Sequence, residues 1–150
     1  MIYAKKLKEL REINNLTQEN ITKIIGLTRD VYGQYERESA IIPLKHLNTI
    51  ANYYNVSIDY LFEFINKNNY ENYSKELDNH KAGTRLKEFR KNYNLTQEKL
   101  GNILNTTKSV ISGYESGRRL IATPFLYTIC KKYHISADYL LGKIDEPKYF

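Results

Sequence analysis

Displaced by 79 positions, the chain reads on itself. Leu7 to Glu63 aligns with Leu86 to Gly142 without a gap, and 23 of those 57 positions are identical. The matches come in blocks: Leu7, Lys8, Glu9 with Leu86, Lys87, Glu88; Asn15 to Glu19 with Asn94 to Glu98; Tyr35, Glu36 with Tyr114, Glu115; Asp59, Tyr60, Leu61 with Asp138, Tyr139, Leu140. Gapless agreement in blocks means that a folding unit was copied whole, so the chain must build the same small core twice rather than one continuous core. Its 150 residues suit two small domains. The expected division is a first domain over 1–62, a linker over 63–82, a second domain over 83–142 and a C-terminal tail over 143–150.

Within each copy the apolar spacing is that of short helices. Leu7, Leu10 and Ile13, echoed by Leu86, Phe89 and Asn92 or Tyr93, predict a first amphipathic helix. Thr17 and Thr96 each precede Gln-Glu, where a hydroxyl can accept from a first-turn amide, so a second helix starts there and carries Ile21, Ile24 and Ile25, or Leu100, Ile103 and Leu104, inward. Gly26 and Asn105 occupy equivalent places and are the residue types that best accept a left-handed backbone. Thr28 and Thr107 follow, ready to cap a third helix that ends near Tyr35, Glu36 or Tyr114, Glu115. Leu47, Ile50, Ala51, Tyr54 and Leu126, Ile129, Cys130, Tyr133 form the buried stripe of a fourth helix. A short fifth begins at Ser57 or Ser136. Between the copies, Glu63 to Ala82 lacks Pro and, rich in Asn, Lys, Glu and Tyr, reads either as flexible chain or as a continuation of the preceding helix.

These helices carry no chemistry-bearing cluster. No Gly-rich phosphate loop, nucleophile elbow or carboxylate pair appears, and His46, His80 and His134 lack partners at metal-ligand spacing. Glu36 and Glu115 recur, but a helical glutamate bracing the fold through an ion pair is the simpler reading than a catalytic acid. The chain is expected to be no enzyme and to hold no metal or cofactor. A single cysteine, Cys130, excludes an internal disulfide and reads as a small core residue. The apolar runs fall far short of the roughly 20 residues that cross a bilayer, and the N-terminus does not read as a signal peptide, so a cytoplasmic protein with no membrane partner is expected.

The order of the quoted residues is itself distinctive. Leu16 to Glu19, then Gly26, Thr28, Tyr35, Glu36 and Arg37, and finally Val56, Ser57, Asp59, Tyr60 and Leu61, resemble the Cro/phage-repressor (XRE) helix-turn-helix family. The second copy resembles it more closely through Leu95 to Glu98, Tyr114 to Arg119, and Ile135, Ser136, Asp138 to Gly142. The resemblance implies an all-α chain of two tandem lambda-repressor-like five-helix DNA-binding domains, the third helix of each entering the major groove while the second braces the phosphates. The recognition helices would be Thr28 to Tyr35 and Thr107 to Tyr114. Val31, Tyr32, Tyr35, Val110, Ile111 and Tyr114 form their packed side, which leaves Arg29, Asp30, Gly33 and Gln34, and Lys108, Ser109, Ser112 and Gly113, toward DNA.

Those residue types suit the task. Arg29 can fork onto a guanine edge, Gln34 onto an adenine, and Lys108 offers a point charge to a guanine or phosphate. Gln18 and Gln97, beside the amide end of the second helix, can donate to phosphate, and Arg118 and Arg119 in the following loop neutralise backbone charge. The family usually has Gly after Tyr-Glu-Arg. The second copy keeps it as Gly117, whereas the first has Glu38, strained if the turn needs positive φ.

Charge points the same way. The formal net charge is +6; residues 1–62 hold eight basic and seven acidic side chains, and residues 83–142 ten and four. A surplus placed on one copy is a nucleic-acid signal rather than a solubility device. The sequence therefore predicts a sequence-specific transcriptional regulator of double-stranded DNA, with the second copy the stronger binder. It acts either as one chain across two half-sites or as a homodimer of double domains. The competing reading is a protein-interaction module whose first copy has lost DNA binding and engages another regulator.

Overall fold

The computed structural model describes residues 1–150, and it divides into two compact units, Met1–Tyr70 and Glu71–Phe150. The first holds α1 (Ile2–Ile13), α2 (Gln18–Ile25), α3 (Arg29–Glu36), α4 (Leu44–Tyr54) and α5 (Ile58–Leu61). The second repeats them as α6 (Asn79–Asn92), α7 (Gln97–Ile103), α8 (Lys108–Glu115), α9 (Thr123–Tyr133) and α10 (Ala137–Leu140). The fold is all-α; one isolated antiparallel bridge joins Ile135 and Tyr149. No helix is long and apolar enough to cross a membrane.

Capping explains where the helices start. Thr17, Thr28, Ser57, Thr96, Thr107 and Ser136 all accept a hydrogen bond from an amide in the first turn of the helix that follows. Each such cap is worth about 1 kcal/mol. At Thr17 the bond is reciprocated, since Asn20 Oδ1 accepts from the Thr17 amide at 2.9 Å. Around these helices the cores close: Leu7, Ile21, Leu47 and Ile50 in the first unit, and Leu100, Ile111, Leu126 and Ile129 in the second, are essentially removed from solvent. Each buried aliphatic side chain contributes about 1.5–3 kcal/mol. Cys130 sits in this core.

Two apolar expectations give way. Ile13 is 75% exposed and Ile24 46% exposed. A step of three residues falls roughly 60° short of a full helical revolution, so a stripe counted only in threes rotates off the buried face. The faces observed are Tyr3, Ala4, Leu7, Leu10 in α1, and Ile21 with Thr22 in α2. Ile13 and Ile24 lie past their edge.

The segment over 63–82 is neither a free linker nor an extended helix. After α5 the chain folds back, the Asn68 carbonyl accepts from the Ser57 amide at 2.8 Å, and the Tyr70 hydroxyl donates to the buried Asp59 carboxylate at 2.7 Å. Helix resumes only at Asn79, capped by Asp78. The tail does the same work in the second unit: the Lys148 carbonyl accepts from the Ser136 amide at 2.9 Å, and the His134 carbonyl from the Phe150 amide at 2.7 Å. Here Lys143, 1% exposed, takes up a place near buried Asp138, with its ammonium 4.3 Å from the centre of the Tyr73 ring. Each unit thus ends in a short return strap that satisfies the start of its last helix.

Candidate nucleic-acid interface

In both units the second and third helices are joined by a tight turn. Gly26 ends α2 with φ +73°, and Asn105 follows α7 with φ 55°, so each turn uses the left-handed residue that its position requires. Two residues on, Thr28 and Thr107 cap α3 and α8 by accepting from the Val31 and Val110 amides at 3.3 Å. Helix, turn, helix is the geometry of both copies.

The inward side of α3 is Tyr32 and Tyr35, and of α8 Ile111 and Tyr114, all buried. One further inward group ties each helix to its unit. Arg11 Nε and Nη2 donate to the two Glu36 carboxylate oxygens at 2.7 and 3.1 Å, while Nη1 donates to the Leu16 carbonyl at 2.8 Å. Arg90 repeats this on Glu115 at 2.7 and 2.9 Å and on the Leu95 carbonyl at 2.9 Å. The glutamate side chains are only 3% and 4% exposed. Burial pushes the Glu36 carboxyl up, but the hydrogen bonds from Arg11 and Gln18 outweigh it and hold the group below its ordinary value. The recurring glutamates therefore fix the third helix against the first, and the sequence reading of a bracing ion pair describes both. The arginines were legible too: Arg11 and Arg90 are identical across the repeat and stand 25 residues before their glutamates.

Gln18 and Gln97, expected to donate to phosphate, are engaged here by the glutamates. Their amides reach Glu36 at 2.9 Å and Glu115 at 3.3 Å. A buried carboxylate with open acceptor sites is a better partner than solvent, which explains the difference.

The outward stripe of α3 runs through Arg29, Asp30, Gly33, Gln34 and on to Arg37, and that of α8 through Lys108, Ser109, Ser112 and Gly113. Arg29, Asp30, Lys108 and Ser109 are exposed, and Gln34 and Ser112 half-buried. Gly33 and Gly113, expected to face DNA, are themselves buried. A β-carbon at Gly33 would lie 2.8 Å from Arg37 Nη1, and one at Gly113 would lie 3.0 Å from Arg119 Nη2 and 3.3 Å from Arg118 Nη2. At those positions the outer surface is guanidinium.

After α8 and α3 the chain turns through a left-handed residue, Gly117 with φ +78° and Glu38 with φ 60°. The first copy thus places a glutamate where the second has the unstrained residue, at a cost of about 1–2 kcal/mol. The Glu38 carboxylate is paired with the Met1 ammonium. His46 Nδ1 meets the Tyr35 hydroxyl at 3.0 Å, and burial first, then Lys45, lowers its pKa. No group of three or more His, Cys, Asp or Glu is placed to hold a metal ion.

With this geometry in hand, comparison with known proteins is decisive about kind. The profile of the helix-turn-helix domain family matches the chain twice, over residues 4–74 and 83–146. The chain belongs to that family. Its closer likeness is of the Cro/phage-repressor type. An uncharacterized HTH-type transcriptional regulator, YobD, from Bacillus subtilis is 40% identical over 60 residues, covering 40% of this chain and 54% of that protein. A second B. subtilis regulator of the same description, YqaE, is 37% identical over 62 residues, covering 41% of this chain and 53% of that protein. The control protein C.SmaI of Serratia marcescens is 37% identical over 57 residues, covering 38% of this chain and 68% of its own length. The chain spans little more than half the length of the first relatives it matches. No solved structure matches it.

Proposed function

We propose that this helix-turn-helix protein is a sequence-specific, double-stranded DNA-binding transcriptional regulator that uses both of its domains. The observation that carries the reading is the pair of helices α3 and α8: each is capped by threonine, clasped from behind by a buried arginine–glutamate pair, and leaves a polar stripe whose leading residues, Arg29 and Asp30 or Lys108 and Ser109, are exposed. A stripe held this rigidly can enter a major groove with its base-reading groups already placed.

In this reading Arg29, Asp30 and Gln34 face the groove from α3, and Lys108, Ser109 and Ser112 from α8. Thr28 and Thr107 keep the helix starts in shape, and their amide ends favour a phosphate oxygen. Gln18 and Gln97 hold the glutamates rather than phosphate. Arg118, whose Nη2 stands 3.3 Å from the Gly113 β-carbon position beside Arg119, supplies charge to the phosphate backbone. Because the two stripes differ residue by residue, a single chain spanning two half-sites would prefer an asymmetric target, whereas a homodimer would prefer a longer symmetric one.

Selection of bound duplexes from a random pool tests this directly. One enriched sequence with two unequal half-sites is expected, with affinity falling by orders of magnitude between about 50 and 200 mM salt. No enrichment, or binding indifferent to salt, would overturn it.

A second reading applies to the first unit alone. Asp30 and Glu38 put carboxylates near the groove-facing stripe, which suits a protein partner better than phosphate. Arg29→Ala with Gln34→Ala separates the two: unchanged duplex selection would assign the first unit to protein contact.

A further inference from the structure

Each recognition helix has a glycine on its outward stripe, and over each glycine lies a guanidinium group from the turn that follows. In the first unit Gly33 is covered by Arg37, whose Nη1 is 2.8 Å from where a β-carbon would stand, with Gln18 Oε1 at 3.2 Å on the same point. In the second, Gly113 is covered by Arg119, with Nη2 at 3.0 Å and Nε at 3.2 Å. The Arg119 amide also donates to the Gly113 carbonyl at 3.2 Å, which ties the arginine's own backbone to that residue.

The two arrangements are not copies of each other. By the 79-residue register Gly33 corresponds to Ser112 and Gly113 to Gln34, while Arg37 corresponds to Ser116 and Arg119 to Ala40. The units reach the same pairing of a bare helix position with an overlying guanidinium through non-equivalent residues. Inheritance from the duplicated ancestor does not explain that, and core packing does not either, since Arg37 and Arg119 are exposed.

We propose that Arg37 and Arg119 are specificity-determining residues that read a guanine edge in the major groove, one in each half-site. This rests on the DNA-binding reading above and changes the expected role of Arg119 from phosphate neutraliser to base reader. A guanidinium resting against a helix face travels into the groove with that helix, and its planar fork matches the O6 and N7 acceptors of guanine. A guanidinium that served only phosphates would need no missing β-carbon beneath it. Because Gly113 sits one position later on its helix than Gly33, the two guanines fall at different places in their half-sites.

Lysine substitution separates charge from shape. Arg37→Lys and Arg119→Lys keep the positive charge, so a phosphate contact survives, but the fork is lost. The full chain and each variant are put through selection from the same random duplex pool, followed by titration of the enriched duplex and of duplexes altered at single positions. Each lysine variant should lose its preference for guanine at one position of one half-site, by about 5–100-fold, with the other half-site unchanged. Gly33→Ala and Gly113→Ala should act on the same positions, because the new methyl group displaces the guanidinium end while helical α3 and α8 tolerate alanine. Their far-ultraviolet circular dichroism should match the parent. If the parent chain enriches one sequence and both lysine variants enrich the same one with undiminished guanine preference, this inference is overturned and the proposed function stands. If the parent enriches none, the proposed function itself falls, and this inference with it.

Discussion

The two helices α3 and α8 share most of what faces inward, Tyr32 against Ile111 apart, and little that faces outward. Both are eight residues long, threonine-capped and held by a bidentate arginine on a buried glutamate. Outward, Arg29, Asp30, Gln34, Arg37 and Glu38 hold two basic and two acidic groups, whereas Lys108, Ser109, Ser112, Arg118 and Arg119 hold three basic and none acidic. The energetics account for the pattern. Removing one partner of a buried ion pair costs about 3–5 kcal/mol, which a small domain can hardly survive, whereas exchanging an exposed side chain is usually worth less than about 0.5 kcal/mol. After duplication the frame was therefore held and the face was free to change.

The strongest way to break this comparison is to attack the frame in each unit. Arg11→Met and Arg90→Met each leave a buried carboxylate unpaired and should destabilise their own unit by about 3–5 kcal/mol, read from urea titration of amide signals assigned to each unit. A loss under about 1 kcal/mol in either unit would show that the clasp does not hold the helix.

A smaller effect is expected at the turn after the recognition helix. Glu38→Gly should stabilise the first unit by about 1 kcal/mol by relieving the left-handed glutamate, less whatever its exposed pair with the Met1 ammonium contributes. Gly117→Glu should cost the second unit more than the reverse change gains the first. There a β-carbon would come within 3.2 Å of the His80 Cα and 3.3 Å of the Asn79 carbonyl oxygen, so crowding adds to backbone strain. Equal and opposite shifts in the two melting transitions would remove the crowding argument.

A third difference is a divergence with pH. Burial, only partly offset by Asp138, lowers the Lys143 ammonium to about 8. Folding thus disfavours its charged form: the penalty is complete below about pH 8 and fades as pH rises toward the free lysine value, so the second unit should gain stability over that range. Tyr32 and Tyr54 act oppositely in the first unit, because burial pushes both phenols up, Tyr54 to about 12. Their protonated forms favour folding, and that unit should lose stability as pH passes the free phenol value near 10. Urea midpoints moving in the same direction in both units between pH 8 and 11 would contradict this.

What the sequence made legible follows from what the repeat could average. Helix starts were readable because Thr17, Thr28, Ser57 and their counterparts recur at the one position where a hydroxyl satisfies an amide. The left-handed turns at Gly26 and Asn105 were readable because few residue types tolerate them, and the positive φ of Glu38 through the glycine that the second copy and the resembled family have at that place. The exposed Ile13 and Ile24 were misplaced, since hydrophobicity alone does not say where a stripe leaves the core. Gln18 and Gln97 were assigned outward because their glutamate partners lie 18 residues away and are invisible to local pattern. The covered glycines were beyond reach for a different reason. Gly33 and Gly113 are out of register with each other, so comparing the copies hides the feature they share.

The unequal charge of the two faces has its most direct test in duplex binding by the intact chain. Two paired variants, Arg29→Ala with Arg37→Ala and Lys108→Ala with Arg118→Ala, each remove two cations from one face. Their affinity for the enriched duplex is measured by fluorescence anisotropy from about 50 to 200 mM salt. The second pair should lose more affinity at every salt concentration and flatten the salt dependence by about two units of slope, the first pair less on both counts. Affinity and slope unchanged in the Lys108 and Arg118 variant would contradict a second unit that binds DNA through this face.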